Sequence, residues 1–105
     1  MGFVYLLECS DDDHTEYKIG FTKKSKPRTS QLQTGNSEKI KELCRFETRY
    51  NRKLETALHN QYSYCRKNGE WFNLDYKDIA NFLNTCERIE KNFDLLKDNY
   101  FFNKL

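Results

Sequence analysis

Two short β-prone runs stand close together at the start of this chain, Gly2 to Cys9 (GFVYLLEC) and Glu16 to Thr22 (EYKIGFT). The six residues between them, Ser10-Asp11-Asp12-Asp13-His14-Thr15, offer nothing apolar to bury. Asp and Ser favour turns, so the runs are expected to pair as a hairpin, and the three aspartates read as a solvated turn before a metal site. An isolated hairpin is marginal in water and needs a covered face. The rest of the chain supplies that cover. Aromatic residues make up 15% of its 105 residues, enough large side chains to fill one small core, so the sequence reads as a single folded domain.

Downstream, Ser25-Lys26-Pro27-Arg28 resembles a helix start with proline in the first turn, and Gly35 resembles a helix stop. Lys39 to Tyr50 is expected to form a third strand. Leu54, Ala57, Leu58, Gln61 and Cys65 recur at helical spacing, which predicts a helix from Arg52 to Lys67 with one buried stripe. Asn68-Gly69 ends it, and Glu70 to Leu74 is a short extended segment. Ile79, Phe82, Cys86, Ile89, Phe93, Leu96 and Tyr100 then follow alternating spacings of three and four, one long amphipathic helix. That stripe packs on the sheet or, in a homodimer, on a second copy. The expected class is α+β: a small three-stranded antiparallel sheet flanked by helices, with a core over residues 1–75 and the C-terminal helix over 76–105 in the same domain.

The net charge of +2 hides a division. Residues 1–16 carry five acidic and no basic side chains, whereas residues 17–53 carry eleven basic against three acidic. Clustered Lys and Arg are the usual footprint of a polyanion. No run approaches the roughly 18 apolar residues of a membrane helix, and no secretory leader is evident. Cys9, Cys44, Cys65 and Cys86 lack the short paired spacing of a zinc site. They are expected to be reduced, largely buried thiols in a soluble cytoplasmic protein (nuclear in a eukaryotic host).

Glu55 and His59 are four apart on the predicted second helix and so share a side, bordering the apolar stripe. A carboxylate and an imidazole there can serve a metal ion or a proton transfer. Tyr5 and Lys18 lie on the two hairpin strands, and Arg28 on the short helix. A phenol is a poor base at neutral pH unless a neighbouring cation favours the phenolate. Arg28 can grip a phosphate with two hydrogen bonds, and Glu55 can anchor one Mg²⁺ or Mn²⁺. If these side chains converge, base, phosphate clamp and metal holder are the minimum for cutting a phosphodiester.

The blocks Val4-Tyr5-Leu6, Tyr17-Lys18-Ile19-Gly20, Pro27-Arg28 with Leu32-Gln33-Thr34-Gly35-Asn36, Leu54-Glu55 with Leu58-His59, and Gly69-Glu70-Trp71-Phe72 occur in that order. This pattern resembles the GIY-YIG nuclease superfamily over roughly residues 2–75. It is most similar to the branch typified by a bacteriophage T5 open reading frame and a meiotically up-regulated yeast gene, usually described as DNA-binding. The resemblance implies hydrolysis of DNA phosphodiesters with a single divalent ion. Tyr5 then matches the tyrosine in or near general-base chemistry, Arg28 the phosphate-contacting arginine and Glu55 the metal-binding glutamate. Gly20 matches the glycine of the second motif. Lys18 stands where that motif usually has tyrosine, Leu32 where many nucleases have a polar residue, and Asn73 is the candidate for the last polar residue of the site. His59 recurs with Glu55 and Glu70 and is expected to support Glu55. Trp71 and Phe72 are expected to close the core.

Around this site Lys23, Lys24, Lys26, Arg28, Lys39, Lys41, Arg45, Arg49, Arg52 and Lys53 form a candidate phosphate-tracking surface with little sequence readout. Three functional readings follow. The first is a GIY-YIG-type, metal-dependent DNA endonuclease; a double-strand cut by it would need two copies, with the 79–100 stripe as candidate seam. The second is a DNA-binding module of the same fold without catalysis. The third is an interaction protein of viral or mobile-element origin that docks through its C-terminal helix.

Overall fold

The computed structural model describes residues 1–25 and 39–97, and the statements below concern those residues. The predicted short helix from Arg28 to Gln33, with Leu32, lies outside them, as do Lys26, Gly35 and Tyr100. The hairpin forms as expected, from β1 (Gly2–Ser10) and β2 (Thr15–Thr22), and β3 (Lys39–Thr48) pairs with the other edge of β1. All pairings are antiparallel. An irregularity between Leu6 and Leu7 accommodates Leu43, since Leu6 faces Cys44 and Leu7 faces Glu42.

The expected three-stranded sheet has five strands, in the order β3-β1-β2-β5-β4. The two additional strands, β4 (Arg66–Asn68) and β5 (Trp71–Phe72), are too short to announce themselves by alternation. Their hairpin turns at Gly69, whose φ of 51° lies in the left-handed region that glycine adopts without strain. Tyr17 and Lys18 of β2 face Phe72 and Trp71 in register.

The helix α1 (Asn51–Gln61) starts as predicted but ends six residues before Lys67. Beyond it Tyr62 leaves the helical path, buried and stacked on Phe82 at 6.2 Å. A 3-10 turn (Ser63–Cys65) then delivers the chain to β4. Periodicity misses this stop because a 3-10 turn keeps side chains three apart on one side.

The long C-terminal helix is likewise two helices, α2 (Tyr76–Ala80) and α3 (Phe82–Leu96). Asp75 and Asp78 form a reciprocal capping box, so helical structure begins before Ile79. Asn81 closes α2 by donating from its backbone and side-chain amides to the Lys77 carbonyl.

One face of the sheet presents Val4, Leu6, Ile19 and Phe72 to Leu54 and Leu58 of α1 and to Phe82, Cys86 and Ile89 of α3. Phe93 and Ile79 pack against the same cluster. The C-terminal stripe is therefore turned to its own core, which removes most of it as a seam for a second copy. Phe72 is fully buried there, but Trp71 projects to the opposite face and is only half-buried, because neighbours on a strand alternate. The four cysteines are free thiols; Cys9 and Cys86 are buried and Cys44 and Cys65 are half-buried. No helix among the described residues is long and apolar enough to cross a membrane.

Candidate functional site

Glu55 and His59, four residues apart, lie on one side of α1, as the helical repeat dictates. Leu54 and Leu58, each one residue earlier, are fully buried and seat the helix against the sheet. Both polar side chains are thus held half-buried at the border of the core. His59 Nε2 is 2.9 Å from the Ile19 carbonyl oxygen of β2. A carbonyl can only accept, so Nε2 carries a proton, and in the neutral ring Nδ1 keeps the lone pair. The imidazole also stands edge-on to Phe72, with ring centroids 5.1 Å apart.

The third member is Glu70, at the tip of the β4–β5 hairpin. Its position is set by the left-handed Gly69 before it and by the Ile19 N–H, which donates to the Glu70 carbonyl at 3.2 Å. One ligand atom each from Glu55, His59 and Glu70 lies within 4.8 Å of the others. Two carboxylates at that distance, one half-buried, resist ionising together. Burial and then hydrogen bonding and repulsion from Glu70 push the Glu55 carboxyl up to about 7, against a smaller opposing pull from Arg52 and Lys18. Lys18 Nζ lies 3.6 Å from Glu70 Oε2. Two hard oxygens and one imidazole nitrogen suit a divalent ion such as Mg²⁺ or Mn²⁺. The like-charge strain between the carboxylates is what such an ion relieves, so the residues fit the group.

Tyr5 lies one register step along. It pairs with Gly20, and Leu7 with Lys18, so Tyr5, Gly20, Lys18 and Trp71 share the sheet face opposite the main core. The Tyr5 ring lies across Gly20: a Cβ there would sit 2.9 Å from the ring edge and closer still to the hydroxyl. Glycine at position 20 is therefore a packing requirement of the tyrosine. Tyr5 is buried, at 2% exposure.

The structure thus joins Glu55, His59 and Lys18 through Glu70, and lays Tyr5 across Gly20, two residues along β2 from Lys18. Arg28 is outside the described residues. The sequence pattern does not assign Glu70 to the site; its signal is Gly69-Glu70, a turn glycine that aims the next side chain wherever the hairpin lands. Asn73 is exposed, and its N–H donates to the Cys65 carbonyl at 2.8 Å.

The basic residues divide. Arg45 grips Glu42 through Nε (2.9 Å) and Nη2 (3.0 Å), donates to the carbonyls of Lys24 and Ser25, and lies 4.8 Å over the Phe3 ring. Its guanidinium fastens the end of β2 to β3. Arg49 pairs with Asp94 of α3 at 3.1 Å while staying largely exposed. Lys23, Lys24, Lys39, Lys41 and Arg52 are exposed. The first turn of α1 carries no acidic residue, so the positive end of the helix lies beside Arg52 and Lys53.

Neither a curated protein nor a solved structure matches the chain significantly. The family model of the T5orf172 domain matches residues 2–87, which takes in β1 to β5, α1, α2 and the first turns of α3 with every described member of the site. The ordered motifs, the sheet and the match together place the chain in the T5orf172 domain family, a GIY-YIG-like branch.

Proposed function

We propose that this chain is a metal-dependent DNA endonuclease of the GIY-YIG type that hydrolyses phosphodiester bonds with one Mg²⁺ or Mn²⁺. The observation that carries this reading is the facing carboxylate pair. Glu55 and Glu70, with His59, set ligand atoms within 4.8 Å of one another, and burial and the facing Glu70 push the Glu55 carboxyl up to about 7. Glu55, Glu70 and His59 would hold the ion, which supplies charge neutralisation at the leaving oxygen. Tyr5 takes the proton of the attacking water, and Lys18 stands on the same sheet face, two residues along β2 from the glycine under its ring. Arg28 grips the scissile phosphate and offsets its developing charge. The bond from His59 Nε2 to the Ile19 carbonyl fixes the imidazole beside Glu55, where it supports that carboxylate.

Lys23, Lys24, Lys26, Lys39, Lys41, Arg49 and Arg52 supply salt-dependent attraction to the DNA backbone. One site cuts one strand, so a double-strand break takes two copies. A second reading, a DNA-binding module without catalysis, draws on the ion pair of Lys18 with Glu70, which engages the lysine away from the phenol. The test is nicking of supercoiled plasmid and of branched DNA by the purified chain across a metal series. Mg²⁺ or Mn²⁺ is expected to support nicking that Glu55→Ala and Arg28→Ala each abolish. Salt-sensitive binding without cleavage under any metal would select the second reading.

A further inference from the structure

Beside the carboxylate pair, an open cavity lies between the end of β2 and the start of α1, lined by Phe21, Lys23, Tyr50, Arg52 and Lys53. Its two aromatic walls are braced from behind. The Phe21 ring occupies the space that a side chain at residue 2 would fill: a Cβ on Gly2 would sit 2.5 Å from its tip and 2.6 Å from its edge. The Tyr50 ring packs edge-on against Phe93 of α3, with centroids 5.1 Å apart, and its hydroxyl donates to Asp94. With the hydroxyl so engaged, Tyr50 presents a ring to the cavity and not an acid or base. Three cations, Lys23, Arg52 and Lys53, line the same space. One of them, Arg52, stands three residues before Glu55 on α1, so the cavity lies one helical turn from the proposed cation site.

Flat apolar surface joined to positive charge is complementary to a nucleotide, whose base stacks on rings and whose phosphate seeks cations. A base inside a duplex is already stacked and paired and has no face to give. We infer that this cavity is a binding subsite for an unpaired nucleotide flanking the scissile phosphate, so that the preferred substrate is DNA with a single-stranded extension beside its duplex. This inference rests on the endonuclease reading and names the class of DNA that the site takes.

The test is fluorescence anisotropy in EDTA, where no cleavage occurs, with three labelled probes: a blunt duplex, the duplex with a five-nucleotide extension, and the same extension built from abasic residues. The wild-type chain is expected to bind the extended duplex about tenfold more tightly than either other probe, the span expected from stacking a single base. Phe21→Leu is expected to reduce that preference to within about twofold. The abasic arm needs no variant and so does not depend on Phe21→Leu folding normally. Equal affinity for the normal and abasic extensions, or a preference that survives Phe21→Leu, would overturn the subsite. If blunt duplex is still bound and metal-supported nicking persists, the endonuclease reading stands without it. Binding to none of the probes would overturn both.

Discussion

Two clusters of acid and imidazole border β2, and they are built from the same residue types to opposite effect. At the head of the strand, Asp11 Oδ1 accepts from the N–H groups of Asp13 (2.8 Å) and His14 (2.9 Å), while His14 leans towards Glu16 at 3.1 Å. Lys67 closes on Glu16 at 3.6 Å. Backbone hydrogen bonds hold the Asp11 carboxyl below its ordinary value of 3.8, so this cluster is complete in itself. Near the middle of the strand, Glu55 faces Glu70 and is pushed up to about 7. Donors already offset the charge of the first carboxylate, whereas the second faces a like charge that a cation would offset. A count of acidic residues alone would have favoured the three aspartates, and the local donors reverse that order.

The sharpest way to break this comparison is activity. Glu55→Gln is expected to lower Mg²⁺-supported nicking by at least about a hundredfold, because it removes a proposed ligand of the ion. Asp11→Asn should leave nicking within about twofold. Equal losses in both would erase the distinction. Thermal melts come next. Saturating Mn²⁺ is expected to raise the melting temperature of the wild type by roughly 5 °C, as for a ligand far above its dissociation constant. The rise should fall below about 1 °C in Glu55→Gln and persist in Asp11→Asn.

A titration with pH sharpens the contrast further. An ion entering the site must displace the Glu55 proton, so Mn²⁺ affinity measured by calorimetry is expected to climb about tenfold per pH unit below about 7 and to level off above it. Without an ion the sign is reversed. A carboxyl raised from 4.5 contributes stability that is present below 4.5 and is lost as pH rises through about 7. Glu70→Gln removes the like charge and should flatten that loss in pH-dependent melts. The smallest effect belongs to Asp11. Its lowered carboxyl contributes stability above 3.8 that disappears as pH falls, so Asp11→Asn should change only the acid side of the same curve.

How far the sequence foretold this differs between the two clusters for a physical reason. The first hairpin and α1 were legible because their patterns are long: eight or nine residues of strand, then Leu54 and Leu58 at helical spacing. The Asp11 turn was legible because its donors are its own neighbours in sequence. The β4–β5 hairpin has five strand residues in all, so neither it nor the placement of Glu70 leaves a periodic trace. Glu55 and His59 could be paired from their spacing, whereas their approach to Glu70 depends on a glycine turn and on one hydrogen bond from Ile19. The break at Asn81 escaped because the apolar stripe runs through it unchanged, while the backbone is stopped by a polar side chain that periodicity ignores. Apolar character alone puts both Trp71 and Phe72 in the core, but adjacent strand residues cannot share a face.

The protein has two histidines, His14 in one cluster and His59 in the other, so each cluster carries its own reporter. The most direct measurement is a Mg²⁺ titration of the folded wild-type chain followed by NMR of the two imidazole rings. The account predicts that the His59 resonances shift with saturable, one-ion behaviour and that His14 stays in place. A shift confined to His14, or two rings that do not move at all, would contradict it.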